Sequence, residues 1–142
     1  MGQSFASVQT AVVTPDIGAK TIQFTRDMTL ATGSQAVTGV GFVPKMIVVY
    51  ASQSNLTQQA SWGFTSSIFG VSLPQRSIHD NGYFLADAFF NNTVPIRIRQ
   101  DVTDTIRYRG TVASFDSDGF TIDWIKQGAT TGSMTCTALC VR

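Results

Sequence analysis

The stretch FDSDGFTIDW, residues 115–124, decides the fold class of this chain. Its first half contains the letters DSDG, which are typical of a tight turn whose glycine supplies a positive φ. Phe120, Ile122 and Trp124 then alternate with polar residues, so that their side chains share one face of a strand. A tight turn that leads directly into such alternation predicts a β-hairpin with one face against a hydrophobic core.

The same pattern extends over most of the chain. No long stretch repeats apolar residues at helical spacing, whereas alternating or β-branched segments recur between turn residues. We predict strands over residues 21–25, 45–51, 60–64, 83–90, 94–99, 105–109, 110–115, 119–125 and 133–141. Short strands at this spacing predict an all-β protein, an antiparallel β-sandwich of jelly-roll or lectin-like kind.

The chain of 142 residues is long enough for one domain with a sizeable core. We place the β-sandwich domain over residues 21–142. Residues 1–20 contain Pro15 and Gly18 and show little periodicity, which predicts an N-terminal arm or edge segment. The predicted core consists of Phe42, Ile47, Val49, Trp62, Phe64, Phe120, Ile122 and Trp124.

The surface should be polar but weakly charged. Charged residues make up only 13% of the chain, about half of the usual share in soluble domains. Extracellular and virion β-proteins often have such compositions, as do subunits that bury much of their surface in an oligomer. We therefore expect a homo-oligomer.

Charge and hydropathy argue against two classes of partner. A net charge of +1 provides no long-range attraction to nucleic acid. No apolar run approaches the ~20 residues of a membrane span, so membrane insertion is not expected. Residues 1–14 lack the basic and apolar regions of a signal peptide, which predicts synthesis in a cytoplasm.

Three segments resemble a known class of domain. ATGSQAVTGVGFVPKMIVVYAS (residues 31–52), SWGF (61–64) and SDGFTIDW (117–124), with a closing alternating strand, resemble a domain of tailed-bacteriophage virion proteins over about residues 31–141. The pairing of GF.P with GF…W is also similar to the H-type lectin β-sandwich, a small trimer. These motifs consist of turn glycines and core aromatic residues, so they specify a fold better than an activity.

The resemblance implies a non-catalytic structural protein of the virion, exposed as a capsid decoration protein or a tail-appendage component. It favours a homotrimer that contacts other virion proteins. The alternative is a carbohydrate-binding, lectin-like module that recognises a glycan on the host surface. No sugar-binding residue can be matched position by position.

Residues that could carry catalysis or bind a metal are few. The single histidine, His79, lies between Ser77 and Asp80, but adjacency in sequence does not create a catalytic triad, and we interpret it as an exposed loop residue. Asp116 and Asp118 resemble part of a calcium loop but lack its later ligands, and a β-turn accounts for them. We expect no enzymatic activity, no cofactor and no metal.

The two cysteines, Cys136 and Cys140, are expected to be buried free thiols. On one strand they would lie roughly 13 Å apart, which is too far for a disulfide bond.

Arginines dominate one predicted hairpin, formed by residues 94–110. Pairing Arg97 with Arg109 and Arg99 with Arg107 satisfies a single register. The alternation then places four guanidinium groups on one face and apolar residues on the other. A slip by one residue would drive the arginines into the apolar layer, which their desolvation forbids.

Like charges that lie opposite each other destabilise a hairpin, so another group must offset these four. Solvent with scattered acids such as Asp101 and Asp104 is one alternative. The other is a partner that supplies acidic groups, either the carboxylates of a neighbouring subunit or an acidic glycan. We predict that the four arginines bind a partner, with a neighbouring subunit favoured.

Overall fold

The computed structural model describes residues 18–53, 59–67, 76–81, 89–91, 94–101 and 103–142, which contain ten strands. The strands are β1 (Ala19–Asp27), β2 (Gly33–Val37), β3 (Met46–Gln53), β4 (Gln59–Ser66), β5 (Arg76–Asn81), β6 (Phe89–Asn91), β7 (Ile96–Arg99), β8 (Arg107–Asp116), β9 (Gly119–Gln127) and β10 (Ser133–Val141). No helix in these ranges is long and apolar enough to cross a membrane.

The strands form two antiparallel sheets, which confirms the predicted all-β, antiparallel β-sandwich. Sheet A has six strands in the order β1-β10-β3-β4-β5-β6, and sheet B has four in the order β2-β9-β8-β7. Each sheet combines consecutive strands with one strand from the opposite end of the chain: β1 pairs with β10, and β2 pairs with β9. This long-range pairing ties both ends of the described chain into the sandwich.

Several predicted strands have shifted or merged boundaries. The segments predicted at 105–109 and 110–115 form one strand, β8, and neither β2 nor β5 was predicted. Strand β1 starts at Ala19, while residues 1–17 of the predicted arm lie outside the described residues. Most of the strand predicted at 83–90 also lies outside them.

Alternation along the strands builds the core between the two sheets. On β9 the residues Phe120, Ile122 and Trp124 are all buried, as predicted. On β3 the alternation buries Ile47 and Val49. These five side chains pack with residues of β7, β8 and β10 in one hydrophobic cluster.

The prediction that Trp62 and Phe64 belong to the core is wrong. Trp62 is 56% exposed and Phe64 is 44% exposed, because both lie on the outer face of sheet A. The inner face of β4 carries Ser61, Gly63 and Thr65 instead, and all three are buried. The predicted alternation is present, but its phase is reversed.

The backbone that leads into β7 explains this reversal. It approaches β4 so closely that a Cβ on Gly63 would overlap the carbonyl of Pro95. The Arg97 backbone N–H also donates to Ser61 Oγ at 3.1 Å. Only small side chains fit on this face of β4, so the aromatic residues must point outward.

The two glycine-containing motifs of the sequence contact each other. Gly39 and Gly41 have φ values of +89° and +85°, and their N–H groups donate to the two carboxylate oxygens of Asp118 at 2.9 and 2.5 Å. Successive backbone N–H groups in such a bend form a small anion-binding concavity. Here the carboxylate of Asp118, in the β8–β9 turn, occupies the concavity and thereby connects the turn to the loop before β3.

Candidate functional site

The arginine hairpin forms in the predicted register. Strand β7 pairs with β8 so that Arg97 lies opposite Arg109 and Arg99 lies opposite Arg107. The isoleucine and tyrosine between them also lie opposite each other and are completely buried on the core face. All four arginines therefore lie on the outer face of sheet B, where each side chain is half-buried.

Asp104, at the tip of the hairpin, contacts two of these arginines. Its Oδ2 forms ion pairs with Arg97 and with Arg107 Nη1, the latter at 2.5 Å. Asp104 has a φ of 59°, a left-handed conformation that aspartate tolerates better than most residues. Partial burial opposes ionisation of its carboxyl, but the hydrogen bonds and charges of both arginines hold its pKa below the usual range.

Asp101 has a different role in the same loop. Its carboxylate accepts hydrogen bonds from the backbone N–H groups of Thr105 and Ile106, both at 3.0 Å, and from the hydroxyls of Thr103 and Thr105. Burial opposes ionisation, but these hydrogen bonds hold the pKa of Asp101 far below its usual range. Asp101 therefore shapes the loop that carries Asp104, and of the two candidate acids Asp104 is the one that offsets the arginines.

Arg109 lies at the centre of the charged surface, between Arg97 on β7 and Ile125 on β9. Partial burial lowers the pKa of its guanidinium, and the charges of Arg107 and Arg97 lower it further. Among the described residues, the buried Nε atoms of Arg107 and Arg109 and Oδ1 of Asp104 have no hydrogen-bond partner. The hairpin therefore retains unused donors beside an excess of positive charge.

Beneath the hairpin lies a buried arginine that the sequence analysis did not identify. Arg26, only 8% exposed, donates through Nε and Nη2 to the hydroxyl of Tyr108 at 3.0 and 2.8 Å. Its guanidinium lies 5.6 Å from the ring centroids of both Tyr108 and Trp124, a distance typical of cation–π contacts. The alternation of β1 could have predicted that Arg26 faces inward, because Ile22 and Phe24 precede it on the same face.

The outer face of sheet A carries a second surface that the sequence did not reveal. We define the apolar face as the apolar residues that point outward from the adjacent strands β10, β3 and β4. Its members are Met46, Val48, Tyr50, Trp62, Phe64, Leu139 and Val141. Tyr50 lies opposite Trp62, with ring centroids 4.8 Å apart, and Leu139 is 42% exposed.

Uncharged polar residues border the apolar face on one side, and charged positions border it on the other. The outward positions of the neighbouring parts of β1 and β10 are mainly Thr, Ser and Gln, and Asp27 at the end of β1 is the only charged residue among the outward-facing positions of the described parts of β1, β10, β3 and β4. On the side of β5, the strand register places Arg76 opposite Phe64 and Asp80 opposite Ala60.

The remaining residues that the sequence singled out lie on separate elements of the fold. His79 lies in strand β5, opposite Ser61 on β4 in the backbone register, so its predicted place in a loop is wrong. Cys136 and Cys140 are buried free thiols, as predicted, and burial raises their pKa values to about 12 and about 11. No three His, Cys, Asp or Glu side chains within the described ranges are grouped to hold a metal ion. Asp118 binds backbone N–H groups, as described above.

Neither a protein-family model, nor a curated protein, nor a solved structure matches this chain. The resemblance to virion domains therefore depends on the quoted motifs alone.

Proposed function

We propose that this chain is a non-catalytic structural component of a tailed-bacteriophage particle, displayed as a capsid decoration protein or part of a tail appendage. It works by assembling with copies of itself and with other virion proteins. The site of assembly is the apolar face of sheet A.

The exposure of Trp62 is the observation that carries this proposal. It is 56% exposed, and Phe64 on the same strand and Leu139 on β10 are 44% and 42% exposed. Soluble monomers rarely leave a contiguous apolar patch of this kind uncovered, and such patches often mark contacts with other proteins. Because the outward positions of β10 and β3 carry no charge, a partner that packs against these two strands buries no ion there.

A homo-oligomer satisfies this requirement most simply, and the resemblance to trimeric domains favours a trimer. Oligomeric interfaces are richest in apolar and aromatic residues at their centre, with polar residues at the rim. The apolar face has this arrangement, with Val48 at its centre between Leu139 and Phe64, and threonines of β1 and β10 along one side.

Light scattering on the purified chain tests the assembly. We expect the wild-type chain to be oligomeric and the double variant Trp62→Ser with Phe64→Thr to shift towards the monomer by at least one order of magnitude in concentration. Leu30→Ser is the matched control, because Leu30 is 50% exposed but lies away from this face. A wild-type chain that stays monomeric at high micromolar concentration contradicts the proposal.

The location on a particle needs a separate test. Antibodies against the chain, visualised on purified particles by electron microscopy, should label the particle surface at regular positions. Particles that contain no copy of the chain contradict the virion assignment but leave the assembly result standing.

The Tyr50–Trp62 pair supports a second candidate function, the binding of a host-surface glycan. Two neighbouring aromatic rings on an open sheet can pack against the apolar face of a sugar ring while their polar atoms stay in water. A glycan array distinguishes the candidates. Binding that disappears in Trp62→Ala, in a chain whose mass in solution is unchanged, favours recognition of a glycan over assembly.

A further inference from the structure

Strand β1 lies at one end of sheet A, and among the described strands only β10 pairs with it. It is nine residues long, whereas the strands at the other three sheet ends, β6, β2 and β7, have three, five and four residues. Proteins usually keep exposed edge strands short, because their unpaired N–H and C=O groups can pair with another chain. The long edge of β1 is therefore the best candidate for pairing with an additional strand.

The hydrogen bond just beyond β1 shows which of its backbone groups face away from β10. The Arg142 N–H donates to the Gly18 carbonyl at 2.7 Å, in the same register as the β1–β10 ladder. Bonded positions alternate along an antiparallel ladder, so the even-numbered residues of β1 are the ones that bond to β10. The odd-numbered residues direct their N–H and C=O groups away from β10, and the central ones are Thr21, Gln23 and Thr25.

One of these outward groups already has a side-chain partner. The Thr25 carbonyl accepts a hydrogen bond from Gln35 Nε2 at 3.0 Å, which agrees with its outward direction. A carbonyl oxygen has two lone pairs and can accept a second hydrogen bond. The side chains of Thr21, Gln23 and Thr25 are exposed and uncharged, so another strand can approach them without burying an ion.

The hydrophobic core is incompletely covered at the same edge. Ile22 and Phe24 point inward and pack against the core cluster, and the Phe24 ring lies 5.9 Å from that of Phe120, yet both side chains are only half-buried. On the neighbouring strand β10, by contrast, the inward-facing residues from Met134 to Cys140 are completely buried. A strand placed beside β1 would cover the apolar surface that Ile22 and Phe24 leave in water.

The central segment of β1, residues 21–25, is self-complementary. Its sequence, TIQFT, has the same order of residue classes in both directions: threonine, apolar, glutamine, apolar, threonine. When two copies pair antiparallel with Gln23 opposite Gln23, threonine lies opposite threonine, and Ile22 lies opposite Phe24 twice. Apolar pairs of this kind stabilise neighbouring strands.

Other registers lose this match. A shift by one residue would place backbone groups that bond to β10 opposite groups that face away from it. A shift by two residues places Lys20 opposite Phe24 in one direction and Arg26 opposite Ile22 in the other. With Gln23 opposite itself, Lys20 lies opposite Arg26, and because like charges repel in such positions, the paired ladder stays within the five central residues.

We propose that β1 of a second copy of this chain pairs antiparallel with β1 around a two-fold axis at Gln23, which joins two copies of sheet A edge to edge. The three pairs of outward-facing residues exchange about six backbone hydrogen bonds. A two-fold contact uses the same surface of both copies, so it closes on itself and forms a dimer. Main-chain hydrogen bonds to an exposed sheet edge are a common basis for binding an additional strand.

This edge contact is separate from the contact proposed for the apolar face. It uses the side of sheet A rather than its outer face, so one chain can form both contacts. Residues that lie opposite each other in paired strands point to the same side of the sheet. The apolar faces of the two copies therefore lie on the same side of the joined sheet, and the dimer presents both of them to further copies or to a particle.

The first test uses the full chain with Trp62→Ser and Phe64→Thr, which removes association through the apolar face. In this background we expect a dimer at high micromolar concentration in sedimentation velocity experiments. Gln23→Pro removes the outward N–H and leaves the bonds to β10 in place, so it should weaken the dimer by about tenfold or more. Gln23→Ala keeps the N–H and is the matched control, which should dimerise as the parent does.

Melting temperatures verify that each variant folds. A parent chain that is monomeric in this background overturns the edge contact, while a wild-type chain that is oligomeric under the same conditions leaves the proposed function standing. A folded Gln23→Pro chain that dimerises as well as Gln23→Ala also overturns it, because the dimer then does not depend on the edge of β1.

Cysteine cross-linking in the same background tests the register without a proline. Gln23→Cys places two Cα atoms about 5.5 Å apart across the axis, within the range of a disulfide bond. Thr21→Cys alone places its two copies roughly 13 Å apart along the strands, whereas a mixture of Thr21→Cys with Thr25→Cys brings them opposite each other. The native Cys136 and Cys140 are buried and should not compete.

Under mild oxidation we therefore expect covalent dimers from Gln23→Cys and from the mixture, but not from Thr21→Cys alone. Electrophoresis without a reducing agent measures the yield. Efficient cross-linking of Thr21→Cys alone, or no cross-linking of Gln23→Cys, contradicts the two-fold pairing at Gln23.

Discussion

Strands β4 and β9 both alternate aromatic residues with small or polar ones, yet they orient them in opposite directions. On β9, Phe120 and Trp124 point into the core and are at most 1% exposed. On β4, Trp62 and Phe64 point into solvent. Both strands obey the two-residue period of a β-strand, so the period alone does not determine which face is buried.

The difference arises from the groups that pack against the inner face of each strand. The inner face of β9 has room for a tryptophan because Gly110 on the neighbouring strand β8 leaves space, and a Cβ there would meet the Trp124 ring. The inner face of β4 has no such room because the backbone at Pro95 lies directly against Gly63. Each tryptophan therefore points to the side where a glycine or open solvent leaves space for it.

Replacing each tryptophan by alanine should produce the largest contrast. Trp124→Ala removes a fully buried ring and its Nε1 hydrogen bond to Gln35 at 3.0 Å, and we expect a loss of about 3–5 kcal/mol in the free energy of unfolding. Trp62→Ala should change it by less than about 1 kcal/mol, because the ring is already half in water. Chemical denaturation at low protein concentration measures both. Equal losses would contradict the reversed phase of β4.

Adding one methyl group to β4 tests the cause of the reversal. Gly63→Ala places a Cβ against the Pro95 carbonyl, a rigid backbone group, and we expect a loss of about 1–3 kcal/mol. Gly33→Ala on β2 is the matched control, since no atom lies within 4 Å of the added Cβ, and it should cause no loss. If Gly63→Ala unfolds at the same denaturant concentration as wild type, crowding by Pro95 is not what turns the aromatic residues outward.

The hydrogen bond between β7 and β4 should contribute less. Ser61→Ala leaves the Arg97 backbone N–H without its acceptor in a buried position, and we expect a loss of about 1–2 kcal/mol. The amide of Arg97 should also exchange its hydrogen faster in the variant. Ser52→Ala, on the outer face of β3, is the control and should alter neither quantity. Unchanged exchange at Arg97 would mean that another group satisfies this amide.

Sequence reasoning succeeded where local alternation and charge left a single solution. The register of Arg97 with Arg109 was predictable because a slip by one residue buries guanidinium groups. The buried face of β4 was not predictable, because it depends on Pro95, a residue more than thirty positions later in the chain.

The contact between the β8–β9 turn and the loop before β3 is also long-range. Each motif was recognisable as a turn. The sequence contains no sign, however, that Asp118 binds Gly41 and Gly39, which lie 77 and 79 positions earlier in the chain. The N–H groups of Gly39 and Gly41 hold the pKa of Asp118 below its ordinary value of 3.8. This carboxylate anchors the start of β9.

The smallest effect that we expect is a pH dependence of the free energy of unfolding, caused by Asp118 in the β8–β9 turn. Because the pKa of Asp118 is lower in the folded chain, its ionised form stabilises the fold above pH 3.8, and this contribution disappears as the pH falls through the folded-state pKa. In Asp118→Asn only one side-chain oxygen remains to accept from the two glycine amides. The variant should therefore be less stable than wild type at neutral pH, and the difference should shrink below pH 3.8. Ser117→Ala changes the same turn without a carboxylate, so its difference from wild type should not vary with pH. Denaturation curves at neutral and acidic pH measure both differences, and a pH-independent loss in Asp118→Asn would show that shape, rather than charge, is what this turn requires.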